Sequence, residues 1–379
     1  MANQTVGLYD PARHTPLTEA PWDPAAAQAA IDEILADTRA AYDPEQYWPA
    51  HPLDDGVRDG STTLYFGAAG VLWALRYLGQ ALEFDLEQLA ARNAREYESF
   101  RAYPNHASLL MGDVGVLLLG DSSKRLKSRI ANNIDLPPKE LLWGMPGTML
   151  AALFIGEAEL YRRQAERLLA AFAETAHGAL CVQELYGAKH LYLGPAHGFA
   201  GHMLALLHGW EWLDAAQRHW VSSAVLRTLF LNARESTDGV NWAAGAGDEA
   251  PYLVQWCHGA PGIVISFADV PFAAPELDRL LARAGELVWR AGPLAKGPNL
   301  CHGTAGNGYA FLKLYRRFRD PVWLDRARVF AMTAIEQCRA ARRKYGQGRY
   351  SLWTGDPGVA VYLHDCLRAE ARFPTIDVF

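Results

Sequence analysis

The sequence has few cysteines, no block of basic residues and no apolar run long enough to cross a membrane. Five cysteines stand at irregular spacing among 379 residues, which argues against a disulfide framework and favours free or metal-bound thiols. Acids and bases are scattered, and the formal net charge of −6 argues against nucleic acid as the main partner. The longest apolar stretches contain Gly and Pro and fall short of the ~20 residues that a transmembrane helix needs.

The first 23 residues contain three prolines among polar and acidic residues. They lack the positively charged region followed by an apolar run that marks a secretory signal. We therefore expect an irregular N-terminal segment over residues 1–23 and a cytoplasmic location. Half of the residues are hydrophobic, which is enough for one large core, and we expect a single domain over residues 1–379.

A Gly-x-x-Gly pattern recurs along the chain, and most copies are followed by an apolar stretch such as "VLWALRYL" or "TMLAALFI". Neighbouring copies are separated by 32 to 61 residues, so they indicate a structural repeat with variable loops. The small residues allow close backbone approach at the start of an apolar helix. The seven copies begin at Gly67, Gly112, Gly144, Gly198, Gly259, Gly303 and Gly355.

Between the copies lie segments with a different pattern. Over residues 276–292 the apolar side chains recur at i, i+3, i+4 and i+7, and charged residues occupy the other face, as in an amphipathic surface helix. Because amphipathic helices belong outside and helices apolar all round belong inside, we predict an all-α fold, an α/α toroid with seven inner and seven outer helices. The other amphipathic patterns occupy 24–41, 86–101, 157–176, 213–233 and 323–343, with a weaker one over 121–133.

Reactive side chains precede three of the copies. The fifth follows Cys257-His258 and the sixth follows Cys301-His302, while His197 precedes the fourth. In a closed ring these equivalent positions face one centre. Two thiolates and an imidazole are suitable Zn²⁺ ligands, and three protein ligands leave a fourth position for water or substrate. Taken singly, such residues are more often buried core residues than ligands.

The motifs "WCHGAPG", "CHGTAGNGYAFL" and "YLGPAHGFAG" and the C-terminal "ARFPTIDVF" resemble those of the lanthionine synthetase C-like proteins. This family contains lanthipeptide cyclases and stand-alone relatives, among them glutathione-binding eukaryotic members, and the chain is more similar to the stand-alone branch. The resemblance runs from about Leu64 to the C-terminus and is most specific over residues 251–312. It implies a seven-fold α/α toroid with one central Zn²⁺, bound by Cys257, Cys301 and His302 together with water or a thiolate.

The resemblance also implies roles for residues around the metal. His197 is the expected acid/base residue, with His258 as a second proton donor. Glu140 matches an acidic position near the family's site, and Lys296 matches a lysine associated with thiol-ligand binding. The peptide cyclases tend to carry Arg and Tyr where this chain has Leu253 and His258, which favours reaction with a soluble thiol. In ordinary structural roles, these residues would be a capping histidine, a first-turn acid and a solvated loop lysine.

The expected activity is the zinc-dependent addition of a thiol, glutathione or a peptide cysteine, to dehydroalanine or dehydrobutyrine residues, which forms a thioether. The expected partners are therefore a soluble thiol and a dehydrated peptide or protein. Two alternatives stay open at this point. One is a dedicated lanthipeptide cyclase that closes (methyl)lanthionine rings, and the other is a non-catalytic zinc-containing protein that binds glutathione or a peptide.

Overall fold

The structure is a computed structural model that describes residues 7–18, 20–54, 56–98, 107–120, 124–185, 187–247 and 250–379. Its α-helices, in chain order, are α1 (Pro24–Ala40), α2 (Ala68–Tyr77), α3 (Leu86–Glu98), α4 (Asp113–Leu117), α5 (Lys124–Asn132), α6 (Met145–Phe154), α7 (Ala158–Leu169), α8 (Phe199–His208), α9 (Ala215–Asn232), α10 (Ala260–Phe267), α11 (Pro275–Ala291), α12 (Thr304–Phe318), α13 (Pro321–Tyr345) and α14 (Asp356–Arg368).

The even-numbered helices form an inner ring, and the odd-numbered helices pack around it. Contacts run in order from α4 through α6, α8, α10, α12 and α14 to α2. Most inner-helix side chains are buried, whereas the outer helices bury one face. The predicted α/α toroid is therefore confirmed. Within the described residues, no helix combines the length and apolar character needed to cross a membrane.

Each inner helix begins directly after the first glycine of a Gly-x-x-Gly copy, which is its N-cap. The second glycine allows the backbone of the preceding loop to approach the helix. At Gly306, for example, a Cβ atom would lie only 1.9 Å from the carbonyl oxygen of Leu300. The repeat is thus a packing requirement, because any larger side chain at this position would displace the loop that precedes the helix.

Most of the predicted outer helices end within about two residues of the observed ones. The prediction over residues 157–176 was wrong at its end, because α7 stops at Leu169 and a β-hairpin follows. Gly178, at φ 100°, closes that hairpin with a backbone conformation that other residues rarely adopt. Of the predictions over 86–101 and 121–133, residues 99–101 and 121–123 lie outside the described residues.

Four two-stranded antiparallel hairpins were not predicted. They pair β1 with β2, β3 with β4, β5 with β6, and β7 with β8. All lie in the connections between helices, so they extend the loops without changing the double ring. The strands are β1 (Ala173–Thr175), β2 (Gly178–Leu180), β3 (Gln183–Leu185), β4 (Ala188–His190), β5 (Arg234–Ser236), β6 (Gly239–Asn241), β7 (Val254–Gln255) and β8 (His258–Gly259).

The described part of the N-terminal segment is irregular apart from one 3₁₀ turn over Pro11–Arg13. It is nevertheless attached to the ring. The backbone N–H of Thr15 donates to the carbonyl of Pro293 at 2.9 Å, and the side-chain amide of Asn241 donates to the carbonyl of Leu8 at 2.7 Å. These contacts tie the segment to the loop that follows α11 and to the end of β6.

The C-terminal segment packs inside the ring. Phe373, Thr375 and Ile376 are fully buried. The ring of Phe373 stacks on Trp256 at 5.7 Å and meets Trp353 edge-on at 5.5 Å. Both tryptophans are fully buried too, so they support the loops above them by packing and do not line an open channel.

A buried lysine joins this C-terminal segment to the inner ring, and it carries our first prediction. Lys313 of α12 has no exposed side-chain surface, and its ammonium nitrogen lies 2.6 Å from a carboxylate oxygen of Asp377. Lys313→Met leaves that carboxylate buried without its main cation. We expect the free energy of unfolding to fall by ~3–5 kcal/mol in urea denaturation.

The control is Arg227→Met, which breaks an exposed ion pair with Glu174 and should cost less than ~1 kcal/mol. Burial raises the pKa of Asp377, but the charges of Lys313 and His208 outweigh it and hold that pKa below its usual value. The stabilisation is therefore complete above the unfolded-state pKa of ~3.9 and is lost as the pH falls below it. A Lys313→Met variant as stable as the Arg227→Met control would contradict this account.

Candidate active site

A belt of backbone hydrogen bonds joins the loops that precede the inner helices. Its members stand two residues before the first glycine of their copies. Tyr65 donates to the carbonyl of Leu110 at 2.9 Å, and Trp353 donates to Tyr65 at 3.3 Å. Cys301 then donates to Trp353 at 3.0 Å, and Cys257 donates to Cys301 at 3.2 Å. The belt therefore brings both cysteines and Tyr65 to the same end of the ring.

A tight hairpin presents Cys257 at this position. Gln255 of β7 pairs with His258 of β8, so Trp256 and Cys257 form a two-residue loop. Gly259, which closes the hairpin, has φ 101°, and a Cβ atom there would lie 1.8 Å from the carbonyl oxygen of Leu253. Only glycine fits this conformation, so backbone geometry fixes the glycine of the Cys257-His258-Gly259 motif.

Cys257 and Cys301 are neighbours, and each shifts the pKa of the other. The thiol of Cys301 donates a hydrogen bond to the sulfur of Cys257, and this bond lowers the pKa of Cys257 against the effect of burial. Burial and the neighbouring Cys257 raise the pKa of Cys301 well above its usual value. Cys257 therefore ionises first, and the pair forms a thiolate with a thiol donor beside it.

Neighbouring side chains also act on the two sulfurs. The side-chain amide of Gln255 donates to Cys257 Sγ at 2.9 Å. Tyr65 acts to lower the pKa of Cys301, but burial and the neighbouring Cys257 outweigh this effect. Hydrogen bonds to a sulfur stabilise negative charge on it, so the surroundings of Cys257 favour the thiolate, whereas those of Cys301 favour the thiol.

The donor set fits zinc in its chemistry. Burial, together with the charges of Lys296 and Arg349, lowers the pKa of His302 to about 3. The imidazole is therefore neutral, which is its metal-binding form. Among the residues that the structure describes, no group of three or more His, Cys, Asp or Glu side chains is already arranged to hold a metal ion. The zinc ion and the ligand role of His302 therefore stay predictions.

Beside the sulfur pair, His197 and Glu140 form a hydrogen-bonded dyad. Nδ1 of His197 lies 2.7 Å from Oε2 of Glu140. Glu140 is fully buried and accepts the backbone N–H groups of Leu142 at 3.1 Å and Trp143 at 2.6 Å, so its orientation is fixed. Burial lowers the pKa of His197, but the hydrogen bond and charge of Glu140 outweigh it and raise that pKa above its usual value. Glu140 thus serves the turn before α6 and orients His197.

His258 lies near this dyad in a different charge state. Its ring centroid is 6.3 Å from that of His197. Burial, and then the charge of His197, lower the pKa of His258 to about 4. His258 is thus neutral at neutral pH, which makes His197 the better proton donor of the two.

Tyr192, an aromatic residue that was not predicted from the sequence, lies near both His197 and His258. The ring of Tyr192 is 5.9 Å from that of His197 and 5.6 Å from that of His258. Its other face stacks on His190 at 4.7 Å. Tyr192 is partly exposed, so this arrangement forms an aromatic wall of the site.

Lys296 is exposed and lines a groove of about 420 Å³ with Arg349 and His51. It makes no ion pair within the described part of the chain, whereas Arg349 Nε donates to Asp54 at 3.0 Å. The charge of Lys296 acts on Cys257 and on both other predicted ligands. The groove thus carries cations, one of which, Lys296, acts electrostatically on the sulfur pair.

Four residues at this end of the ring were not singled out from the sequence, namely Tyr65, Gln255, Tyr192 and Arg349. Position within the repeat could have found three of them. Tyr65 stands two residues before its glycine, as Cys257 and Cys301 do, and Tyr192 and Arg349 each stand six residues before theirs. Gln255 carries no such signal, because its role depends on the hairpin turn.

A closed double ring of helices with thiols and histidines at the N-terminal ends of the inner helices defines the class of protein. The chain matches the sequence model of the lanthionine synthetase C-like protein family over residues 52–378, and it belongs to that family. This confirms the resemblance found in the sequence motifs.

Individual relatives agree with this assignment. The chain is 30% identical over 258 residues to "Glutathione S-transferase LANCL1" of Danio rerio, a region that covers 64% of this chain and 62% of the relative. It is 28% identical over 320 residues to "LanC-like protein GCL1" of Arabidopsis thaliana, which covers 73% of this chain and 72% of the relative. Among solved structures, "Nisin cyclase" matches with a TM-score of 0.54 at 17% identity, covering 89% of this chain and 93% of the other, and so shares the fold.

Proposed function

We propose that this protein catalyses the addition of a thiol to dehydroalanine or dehydrobutyrine residues, forming a thioether, with one Zn²⁺ held by Cys257, Cys301 and His302. The observation that carries the proposal is the neighbouring pair of Cys257 and Cys301, joined by a backbone hydrogen bond, near the dyad of His197 and Glu140. Such an addition requires a site that activates the thiol and a group that donates a proton to Cα.

The zinc ion, when bound, would supply a thiolate near neutral pH, where a free thiol of pKa ~8.5 is mostly protonated. The thiolate sulfur forms a bond to Cβ of the dehydrated residue, and the double-bond electrons move to Cα and its carbonyl as an enolate. His197 then donates a proton from Nε2 to Cα, because its Nδ1 is engaged by Glu140. The proton released by the incoming thiol restores the imidazolium.

Two further features of the chain favour this step. The raised pKa of His197 keeps a proton available near neutral pH. The N-terminal ends of the inner helices carry partial positive charge and face the same end of the ring as the sulfur pair, where they stabilise the enolate oxygen.

We propose glutathione or a similar soluble thiol as the nucleophile. Lys296 and Arg349 provide positive charge along the groove, which suits the carboxylates of such a thiol. The relative from Danio rerio that is described as a glutathione S-transferase supports the same choice. We also propose a cytoplasmic location, because all five cysteines are free and a reducing compartment keeps thiols in that state.

The test is to incubate the zinc-loaded protein with glutathione and a peptide that contains one dehydroalanine, and to follow adduct mass against time. We expect an adduct rate above that of the uncatalysed mixture, lost when a chelator removes the metal and restored by zinc. A second peptide carries both a cysteine and a dehydroalanine. Ring closure in that peptide without acceleration by glutathione would instead support a dedicated cyclase, and binding of glutathione without turnover of either peptide would support a non-catalytic binding protein.

A further inference from the structure

A fully buried asparagine, Asn241 at the end of β6, holds both ends of the hairpin that carries Cys257. Its side-chain amide donates to the carbonyl of Leu253 at 3.1 Å, just before β7 begins. Its side-chain oxygen accepts the backbone N–H of Ala260 at 2.7 Å, where α10 begins after β8. Because Asn241 is fully buried, water cannot replace these bonds if they break.

The same side chain also holds the N-terminal segment. Its amide makes a second bond, to the carbonyl of Leu8 at 2.7 Å, and its oxygen also accepts the backbone N–H of Trp242 at 2.9 Å. The four bonds match the two donor hydrogens and the two acceptor positions of an asparagine side chain. Leu8 is itself only 6% exposed. Asn241 therefore fixes the N-terminal segment and the cysteine hairpin to each other.

A few residues further on, the N-terminal segment pairs with the loop that leads to Cys301. The backbone N–H of Thr15 donates to the carbonyl of Pro293 at 2.9 Å. In return, the backbone N–H of Ala295 donates to the carbonyl of Arg13 at 3.0 Å. The segment thus joins the two loops that present the cysteines, and it bonds to one loop near each of its ends.

We propose that residues 8–15 and Asn241 form a clamp that positions the Cys257 hairpin against the Cys301 loop, with Asn241 as its positioning residue. One backbone hydrogen bond of 3.2 Å links the two cysteines directly, and the clamp adds a separate link between their loops. Such support fixes the geometry of a site before its ligand arrives. The N-terminal part of the clamp lies outside residues 52–378, over which the chain matches its family model. The inference rests on the proposed function, because it takes these two cysteines as the reactive centre.

The test compares Asn241→Asp with the wild type by deuterium exchange of the metal-free protein. Aspartate keeps the acceptor oxygen but replaces the group that donates to Leu8 and Leu253. We expect exchange to accelerate about tenfold both in residues 253–260 and in residues 293–301, since an unmade buried hydrogen bond costs on the order of tenfold in an equilibrium constant. Zinc affinity should fall by ~10–100-fold, the usual effect of losing a residue that holds a metal ligand in place.

A second variant, Leu8→Ala, weakens the clamp from its other end. The substitution removes most of a buried side chain of the N-terminal segment and changes no residue of the two loops. It should accelerate exchange in the same two segments as Asn241→Asp does. This variant also decides the inference if Asn241→Asp does not fold.

Asn232→Asp is the matched control. Asn232 is 8% exposed, and its side-chain amide also donates to two backbone carbonyls, those of His177 and Thr228, each at 2.8 Å. The control should accelerate exchange around those two residues. Its zinc affinity and its exchange over residues 253–260 should stay at the wild-type values, which separates positioning of the site from a general loss of stability.

Three results would each overturn the inference: faster exchange over 253–260 but not over 293–301 in Asn241→Asp, wild-type exchange of both segments in Leu8→Ala, or wild-type zinc affinity in Asn241→Asp. The exchange measurement needs no metal, no thiol and no turnover. Coupled exchange in a protein that binds no zinc and accelerates no addition would therefore reject the proposed function alone. Normal catalysis without coupled exchange would reject only the clamp.

Discussion

Cys301→Ala is expected to reduce glutathione addition to a dehydroalanine peptide to the uncatalysed rate. The substitution removes one member of the sulfur pair, the donor to Cys257 and one of the three proposed zinc ligands. A zinc site left with two protein ligands holds metal poorly, so zinc content should fall in parallel. The measurement is adduct mass against time together with zinc per protein molecule.

Cys181→Ala is the control for loss of a buried thiol. Burial raises the pKa of Cys181 to about 12, and the residue follows β2 and is not a member of the belt. This variant should keep wild-type zinc content and rate. If Cys301→Ala kept the wild-type rate with an unchanged circular dichroism spectrum, the sulfur pair would not be the reactive centre.

His197→Asn is expected to lower the rate of the same reaction by ~10²–10⁴-fold, the usual contribution of a positioned acid or base. Its zinc content should not change, because His197 is not a proposed ligand. The asparagine can still accept or donate a hydrogen bond near Glu140 but carries no proton that it can give to Cα. His190→Asn, at the outer face of the Tyr192 ring, is the matched control and should lose far less.

The role of Glu140 is tested by pH dependence. The reaction requires His197 as the imidazolium, so its rate should fall as the pH rises through the raised pKa of His197. Glu140→Gln removes the charge that raises this pKa, and the alkaline limb of the profile should move to lower pH. A profile that does not move would show that Glu140 acts only through the turn before α6, where it accepts the N–H groups of Leu142 and Trp143.

The double ring could be predicted because its signals are local. Each copy of the repeat places a glycine at the helix start and a buried apolar stretch after it, as at Gly303 and α12. The amphipathic pattern over residues 276–292 likewise predicts α11 to within one residue at each end. The hairpins escaped prediction because strands of two or three residues, such as β7, are too short to show an alternating pattern.

Only some of the residues around the two sulfurs could be predicted from the sequence. The repeat register places Tyr65 at the position equivalent to that of Cys301, but nothing in the register says that Tyr65 affects the pKa of that cysteine. His197 and Glu140 are 57 residues apart and meet only because α6 and α8 are neighbours in the ring. The C-terminal "ARFPTIDVF" supported the family resemblance, yet its role as packing beneath Trp256 follows from the closed ring alone.

The sequence by itself determined the number of helices, their division into two rings, the family and the cysteine-histidine pairs, because each depends on residues near one another in the chain. Only the tertiary structure decided which sulfur ionises first, which side chain donates to Cys257 and which histidine keeps a proton. Those properties depend on burial and on charges brought together from different repeats. A pKa or a hydrogen bond between Cys257, Cys301 and their neighbours exists only once the ring has closed.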